Sequence, residues 1–448
     1  MANKLQISRR TFLSHCSAVA AATGLPLWFV QRELDAATQT PAVTSPNDRP
    51  GIALIGCGGM GTGDLKSASR FGDVVAVCDV DEGHAAKVAS AYAKEGKSPA
   101  QFTDFRKLLD RKDVHIVVQA TPDHWHTLIN LAAVAAGKDV YAEKPLTLTI
   151  DEGKRLVKAV RKTKAVLQTG TQQRSHKLFR LACELARNGR IGKLTQVSVY
   201  VPAGLREGPF QPSPVPDGFH WDMWLGQAPQ VDYLKERTHS TFRWWWDYSG
   251  GPVTDWGAHH NDIARWAIGL DGPTEIEARA LVEPIPGGYT TPPQFEATLM
   301  WANGVKQVVK TTVDDSPFGQ IINKEGQRNG VRLEGTSGWI WVNRGTIEAS
   351  DPALIDTPME NPPIKLEVSA DHMGNFIEAV RARKDPISPV EGGHQSAVVG
   401  HLIVIALRTG RKLRWDPANE KFVGDGAGDA NAHLSRKMRK PYDYGFAT

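Results

Sequence analysis

The chain has 448 residues, which is too long for one ordinary hydrophobic core, so at least two folded domains are expected. Its composition, 41% hydrophobic and 23% charged, is that of a globular protein, and no apolar run reaches the roughly 18 residues of a membrane span. The net charge of +4 is spread thinly. This excludes an electrostatic case for nucleic acid and favours a small, nearly neutral ligand.

The N-terminal segment has the pattern of a twin-arginine export signal, which we predict over residues 1–37. Arg9 and Arg10 precede a modest apolar run rich in small residues, and cleavage is expected near Ala36 or Ala37. The alternative is a chance arginine pair before a short helix. The export interpretation predicts a periplasmic or otherwise exported protein.

A proline-rich linker is predicted at 38–50, before the first domain. The cysteine pattern supports export in the folded state. Cys16 lies in the predicted signal, and Cys57, Cys78 and Cys183 have neither the spacing of a zinc site nor an even count for disulfides. Such cysteine usage suits a chain that folds in a reducing compartment and is exported afterwards.

A glycine loop follows the first predicted strand. Gly56, Gly58 and Gly61 have the G-x-G-x-x-G spacing that permits a tight turn, a close approach to a pyrophosphate and close helix packing. Asp79 ends the next apolar run, where a carboxylate binds a ribose 2′-hydroxyl and repels a 2′-phosphate. The motif favours NAD over NADP as cofactor, with glycines in an unrelated turn as the alternative.

Apolar strands and amphipathic helices then alternate to the end of a predicted first domain at 51–170, which indicates a doubly wound parallel sheet. Ligands bind such sheets at the carboxyl ends of the strands. The cofactor-binding residues expected at those ends, besides the glycines and Asp79, are Met60, Thr121, Pro122, His126, Glu143, Lys144 and Gln172.

Lys144 follows a strand in the sequence AEKP. A lysine at this position, poorly solvated and near a nicotinamide, would lower the pKa of a substrate hydroxyl or share its proton. Position alone leaves the alternative of an ordinary surface lysine equally open.

The second predicted domain spans 171–416, and residues 417–448 form a predicted tail. Its runs alternate polar and apolar residues with period two, which indicates an antiparallel sheet with one buried face. An insertion at 204–251 is unusually aromatic. Its side chains either form a rim that stacks on sugar rings or build a core of their own, and both can hold for different residues.

The segment GGPVTDWGAHHNDIARW, residues 250–266, concentrates polar groups on a predicted helix. Asp255, His259 and Asp262 fall at i, i+4 and i+7 on one face, where mutual hydrogen bonds, a metal or a substrate would have to satisfy them. His260 points about 100° away, so the two histidines do not easily share one ion. No metal is predicted, and Asp262 is expected to be structural.

Together these motifs resemble the Gfo/Idh/MocA family of glucose-fructose oxidoreductases and inositol dehydrogenases. The resemblance runs from about Gly51 to Asp416 and rests on IGCGGMG, CDVD, TPDHWH, AEKPLTLT, GTQQRS, WLG, GGPVTDWGAHHNDIARW and EGTSGWIWV. It implies an N-terminal Rossmann domain and a C-terminal α/β domain with a large, open, mostly antiparallel sheet. It also implies hydride transfer between a nicotinamide and a sugar or cyclitol carbon, and a possible homo-oligomer.

The resemblance assigns catalytic roles to Lys144, Asp255 and His259. A neutral histidine accepts a hydroxyl proton near neutral pH, so His259 is expected to be the acid/base, oriented or assisted by Asp255. An exported enzyme has no pool of free NAD, so the cofactor is expected to stay bound. Retention favours chemistry that returns the hydride, either by reducing a second sugar or by a redox-neutral glycosidase or lyase reaction through a transient keto sugar.

Overall fold

We analysed a computed structural model of the chain. It describes residues 17–20, 25–31, 49–94, 96–312 and 329–445. Arg9, Arg10 and the predicted cleavage positions Ala36 and Ala37 lie outside the described residues, as does most of the predicted linker. The export signal therefore stays a prediction.

The first domain is a six-stranded parallel sheet in the order β3-β2-β1-β4-β5-β6. β1, β4 and β5 are buried along their whole length, because helices cover both faces of the sheet. The strands are β1 Gly51–Ile55, β2 Asp73–Cys78, β3 Ala100–Phe102, β4 Ile116–Gln119, β5 Asp139–Ala142 and β6 Leu167–Thr169. The helices are α1 Gly59–Ala68, α2 Glu82–Ala91, α3 Phe105–Leu109, α4 Asp123–Ala135 and α5 Ile150–Thr163.

The second domain is built on a nine-stranded sheet in the order β13-β12-β11-β7-β10-β9-β8-β14-β15. Its strand pairs are antiparallel except β7 with β10. The strands are β7 Leu194–Pro202, β8 Pro273–Val282, β9 Gln294–Trp301, β10 Lys306–Thr312, β11 Gly330–Gly335, β12 Gly338–Val342, β13 Ile347–Ala349, β14 Leu413–Asp416 and β15 Lys421–Val423. The predicted fold class, a doubly wound parallel sheet followed by a mostly antiparallel one, is confirmed. The predicted homo-oligomer stays a prediction.

Three helices pack against the second sheet: α6 Lys177–Arg187, α8 Trp256–Ile268 and α11 Val390–Thr409. The other helices are α7 Trp221–Leu225 in the aromatic insertion, α9 Ala353–Asp356, α10 His372–Ala382, which packs on the first domain, and α12 Ala427–Ala432. β9 alternates half-buried and buried residues along its whole length, as period two requires. Within the described ranges α11 is the one helix long and apolar enough to cross a membrane, yet 72% of that window is buried inside the fold.

Part of the predicted signal packs on the second domain. Residues 27–31 are helical, and the ring of Phe29 is fully buried, 4.8 Å from the guanidinium carbon of Arg180. The indole nitrogen of Trp28 donates a hydrogen bond to the carbonyl oxygen of Ile355 at 3.4 Å. Cleavage after residue 36 would remove these contacts.

Candidate active site

One cavity of about 400 Å³ lies at the carboxyl ends of the first-domain strands. Residues from the glycine loop, from the ends of β2, β4 and β5, from the aromatic insertion and from the C-terminal tail line it. Of the residues predicted from the sequence, the lining includes Gly56, Gly58, Met60, Asp79, Thr121, Pro122, His126, Glu143 and Lys144. Strand-end position therefore located part of the cavity wall, whereas the lining does not include the predicted Gly61, Gln172, Asp255 and His259.

The three glycines of the loop meet different constraints. Gly56 has φ of +93°, and a Cβ on Gly61 would lie 2.0 Å from the carbonyl oxygen of Gly56. A Cβ on Gly58, in contrast, would meet no atom within 4 Å. Gly58 thus keeps the start of α1 open to the cavity, where the helix N-terminus suits a phosphate. The loop fits the pyrophosphate of a dinucleotide.

Asp79 lies directly after β2 and is tied to the loop. Its Oδ2 accepts a hydrogen bond from the amide of Cys57 at 2.7 Å, and its Oδ1 accepts one from the amide of Asp81 at 2.9 Å. Burial raises the pKa of Asp79, and the two amides oppose that rise. A carboxylate held here can accept from a ribose hydroxyl and excludes a 2′-phosphate. The site therefore fits NAD.

His126 joins two of the predicted strand-end motifs. Its Nδ1 lies 2.6 Å from the carbonyl oxygen of Pro145, and its Nε2 lies 2.7 Å from that of Thr121. His126 thus links the turn after β4 to the turn after β5. Met60, in the first turn of α1, is exposed and lines the same cavity.

Glu143 lines the cavity and belongs to a network of buried side chains. Gln172 donates through Nε2 to Glu143 Oε1 at 2.8 Å and to the hydroxyl of Tyr141 at 3.2 Å. Burial raises the pKa of Asp64 to about 9, and the nearby Glu143 contributes to that rise. Burial also raises the pKa of Glu143, while Lys144 and Gln172 oppose the rise.

Lys144 forms an ion pair across the two domains. Its Nζ donates to Asp255 Oδ1 at 2.8 Å, and Arg243 donates through Nε to the same oxygen at 3.2 Å. Burial alone would raise the pKa of Asp255, but Lys144 and Arg243 outweigh it and hold the pKa below its usual value. Lys144 is not a surface lysine, because only 9% of its side chain is exposed.

His259 lies beside this ion pair and is 5% exposed. Burial, followed by the positive charges of Lys144 and Arg344, lowers its pKa well below the usual value, so the ring is neutral. Its Nδ1 is buried with no hydrogen-bond partner in the described part of the chain. Asp255 was expected to orient His259, but its hydrogen bonds in the described residues go to Lys144 and Arg243.

The other polar residues of α8 face the protein interior. Asp262 accepts two hydrogen bonds from Arg174, at 2.6 and 2.7 Å, and one from Ser396 at 2.5 Å. His260 turns away from His259, and its Nε2 lies 2.8 Å from Asn329 Oδ1. Asp262 and His260 Nε2 thus have partners inside the protein, and neither residue lines the cavity, which is consistent with the structural role predicted for Asp262.

The aromatic insertion has a core of its own and also covers the cavity. Trp245 and Tyr248 are buried within it. Its cavity-lining residues are Phe219, Met223, Trp224, His239, Ser240, Phe242 and Arg243. Phe219, Trp224 and Phe242 belong both to this core and to the cavity lining, and a rim that stacks on sugar rings stays a prediction.

The C-terminal tail closes another side of the cavity. Tyr442 lines it and packs edge-to-face on Trp125, with ring centroids 5.5 Å apart. Arg439 anchors this segment to the insertion by an ion pair with Asp222 at 2.6 Å and a hydrogen bond to the carbonyl oxygen of Gly226 at 2.9 Å. The cavity is thus enclosed by three segments that are far apart in the sequence.

Comparison with protein families agrees with this architecture. Residues 51–171 match the NAD-binding Rossmann fold of an oxidoreductase family, and residues 203–444, more than half of the chain, match its C-terminal alpha/beta domain. The chain belongs to the Gfo/Idh/MocA oxidoreductase family. NAD is accordingly the cofactor of its first domain.

Curated relatives in the Gfo/Idh/MocA family match only part of the chain. Glycosyl hydrolase family 109 protein 2 of Shewanella sp. (strain ANA-3) is 34% identical over 158 residues, which are 32% of this chain and 35% of that protein. Inositol 2-dehydrogenase of Salmonella typhimurium (strain LT2) is 31% identical over 144 residues, 31% of this chain and 42% of that protein. The chain thus spans well under half the length of these relatives.

Solved structures share the fold over a longer stretch. The WlbA dehydrogenase from Bordetella pertussis, in complex with NADH and UDP-GlcNAcA, has a TM-score of 0.62 at 18% identity, covering 82% of this chain and 99% of that one. Aldose-aldose oxidoreductase from Caulobacter crescentus has a TM-score of 0.61 at 18% identity, with the same coverage of both chains. At this identity the likeness establishes the fold alone.

Sequence reasoning missed Arg243, Asp64 and Tyr442. Asp64 could have been found, because it lies on the buried stripe of α1 that also carries Gly61 and Leu65, where a carboxylate needs a partner. Arg243 and Tyr442 had no such signal. They line the cavity of this Gfo/Idh/MocA protein only because the insertion and the tail pack against the first domain.

Proposed function

We propose that this protein transfers a hydride between a retained NAD and a hydroxyl-bearing carbon of a sugar or cyclitol. The observation that carries the proposal is that one cavity is lined both by Gly58 and Asp79, which suit a dinucleotide, and by Lys144, which is paired with Asp255 and suits a hydroxyl. NAD supplies the hydride acceptor when it is bound. The inositol and sugar dehydrogenases among the relatives and neighbours support the substrate class.

The chain's own residues handle the hydroxyl and its proton. Lys144 donates a hydrogen bond to the substrate oxygen, which lowers the pKa of that hydroxyl, while Asp255 holds the ammonium in place. The neutral ring of His259, close to Lys144, is the proposed acceptor of the proton. Asp255 thus assists the reaction through Lys144 rather than through His259.

Enclosure of the cavity supports cofactor retention. Trp224 of the insertion and Tyr442 of the tail line the same cavity as the glycine loop, so both segments would lie against a bound dinucleotide. Unfolding purified protein is expected to release NAD in near-stoichiometric amount, as measured by chromatography. A correctly folded preparation that contains no NAD and binds it only weakly would refute retention.

A second candidate is a redox-neutral glycosidase or lyase on the same site, and the enclosed cavity favours it. A cofactor that cannot exchange must give its hydride back, so the sugar would be oxidised to a keto sugar, lose its aglycone by elimination and be reduced again. The glycosyl hydrolase family 109 relative is consistent with this route.

Aryl glycosides separate the two candidates. Release of the aryl alcohol without added NAD indicates the redox-neutral route, whereas a keto-glycoside that keeps its aglycone indicates net oxidation. Lys144→Met protein with the same cofactor content is the control, and it should give neither product. A panel of sugars, cyclitols and aryl glycosides that yields no product and leaves the redox state of the bound cofactor unchanged would contradict both candidates.

Export by the twin-arginine route belongs to the same proposal. Replacing Arg9 and Arg10 together by lysine should keep the protein in the cytoplasmic fraction, and the intact mass of exported protein should show removal of about the first 37 residues. Exported protein that retains the buried Phe29 would show that the 27–31 helix is part of the folded domain instead.

A further inference from the structure

Three ionisable side chains converge at the rim of the cavity, away from Lys144. Asp81 precedes α2, His84 lies in its first turn, and His239 belongs to the aromatic insertion. Among the described residues these three form a group whose ligand atoms all lie within 4.8 Å of one another. Two imidazoles and one carboxylate are a donor set that divalent first-row metals prefer.

The distances fit an ion better than direct hydrogen bonds. Asp81 Oδ2 lies 3.6 Å from His239 Nε2 and 4.0 Å from His84 Nε2, both beyond the normal hydrogen-bond range. Two ligands at about 2.1 Å from a tetrahedral Zn²⁺ are roughly 3.4 Å apart. The ligand atoms, which lie within 4.8 Å of one another, would therefore have to approach by up to about 1.4 Å to complete the coordination. A direct His–Asp hydrogen bond would instead require a closer approach.

The carboxylate of Asp81 is already oriented for this role. Its Oδ1 accepts hydrogen bonds from the amides of Gly83 at 3.0 Å and His84 at 3.2 Å, as the N-cap of α2. This fixes the carboxyl plane and directs Oδ2 toward the two histidines. An oriented ligand loses little freedom on binding an ion.

His239 reaches the cluster through an unfavourable backbone conformation. Its φ is +50°, in the left-handed region that is unfavourable for a non-glycine residue, and such residues concentrate at ligand sites. Its ring lies 4.8 Å from the ring of His84. The conformation thus directs an insertion side chain toward the first domain.

Backbone contacts already dock the insertion at this point. The amide of His220 donates to the carbonyl oxygen of Val80 at 2.9 Å, and the amide of Glu82 donates to that of Gly218 at 3.0 Å. An ion held by Asp81, His84 and His239 would add a coordinate link between the same two segments. We propose that these three residues form a divalent-metal site, of the Zn²⁺ type, that fastens the aromatic insertion to the start of α2.

Isothermal titration of purified, chelator-treated protein with Zn²⁺ tests the site, and Co²⁺ serves as a spectroscopic probe. Wild-type protein should bind one equivalent and show the visible absorption of Co²⁺ with nitrogen and oxygen ligands. His239→Ala and His84→Gln should each weaken binding by more than about tenfold, since even outer-shell partners are worth that much. Hydrogen–deuterium exchange at 235–244 should slow on Zn²⁺ addition in wild-type protein only.

His220→Gln is the matched control, because His220 is an exposed histidine of the same insertion that pairs with Glu82 rather than with Asp81. It should bind Zn²⁺ like the wild type. All three variants alter partly exposed side chains, and their melting temperatures check the fold. Wild-type protein that binds no Zn²⁺, or binding that persists in both His84→Gln and His239→Ala, would overturn the proposal.

Discussion

Two clusters of charged residues involve the same helix, α8, and differ in what surrounds them. Asp255, at its start, meets Lys144 and Arg243, and both of these line the cavity. Asp262, two turns later, meets Arg174 and is 1% exposed. Both carboxylates are held ionised by cations, yet only the first cluster has groups that a substrate can reach. Access to the cavity therefore separates the proposed catalytic cluster from the structural one.

The two histidines of α8 repeat this contrast. His259 lies close enough to the cavity-lining Lys144 for that charge to help lower the pKa of its ring, whereas His260 Nε2 is paired with Asn329 in the protein interior. Nδ1 of each ring is buried with no partner in the described part of the protein, so it is the surroundings of the two rings that differ. The comparison predicts that variants in the first cluster lose turnover and variants in the second lose stability.

Lys144→Met should have the largest effect. Turnover should fall by about 10³-fold, because the substrate hydroxyl loses its charged hydrogen-bond donor. Bound NAD and the melting temperature should change little, and redox change of the cofactor with the active sugar measures the loss. Lys138→Met is the matched control, because buried Lys138 donates to two backbone carbonyls away from the cavity and should lose stability instead.

Asp262→Ala should lower the free energy of unfolding by about 3 kcal/mol, because it leaves the charge of Arg174 buried and unpaired. Urea denaturation measures this value. The double variant Asp262→Ala/Arg174→Met should recover part of the loss, since no unpaired charge then remains. Normal stability with abolished turnover in the single variant would erase the distinction between the two clusters.

His259→Gln should reduce turnover by about 10²-fold, because it removes the proton acceptor while retaining a polar side chain of similar length. His260→Gln should leave turnover near the wild-type value and lower the free energy of unfolding by about 1–2 kcal/mol through its bond to Asn329. Steady-state rates and urea denaturation of both variants test the pair. Equal turnover losses would place both histidines in one functional unit.

Acid should lower the free energy of unfolding between about pH 6.5 and pH 4 because of two buried histidines, His260 of α8 and His372 at the start of α10. Burial lowers the pKa of His260 and of His372 from 6.5 to about 4, so the folded state binds fewer protons than the unfolded state between these values. The stability they contribute is complete above pH 6.5 and is lost as the pH falls toward 4, at about 1.4 kcal/mol per histidine per pH unit. Urea denaturation at several pH values in this interval measures the slope of the unfolding free energy against pH. His260→Gln should reduce that slope by the contribution of one histidine, about 1.4 kcal/mol per pH unit.

Local patterns predicted much of the cofactor half of the molecule. The glycine spacing and the strand-end position of Asp79 indicated their roles because each depends on residues within one β-α-β unit. The position of Lys144 at the end of β5 was likewise predicted from neighbouring residues. Helical spacing predicted that His260 points away from His259. Periodicity also distinguished the two sheets, since buried parallel strands and half-exposed antiparallel strands repeat differently.

The sequence by itself thus determined the fold class, the nucleotide loop and the helical stripe of α8, all of which follow from contacts between near neighbours. Only the tertiary structure decided which partners those residues meet: Asp255 binds Lys144, 111 residues away, and not His259. It likewise brought Arg243, Tyr442 and His239 to the cavity. Such pairings depend on how distant segments pack, and spacing along the chain carries no information about them because the intervening loops can close in many ways.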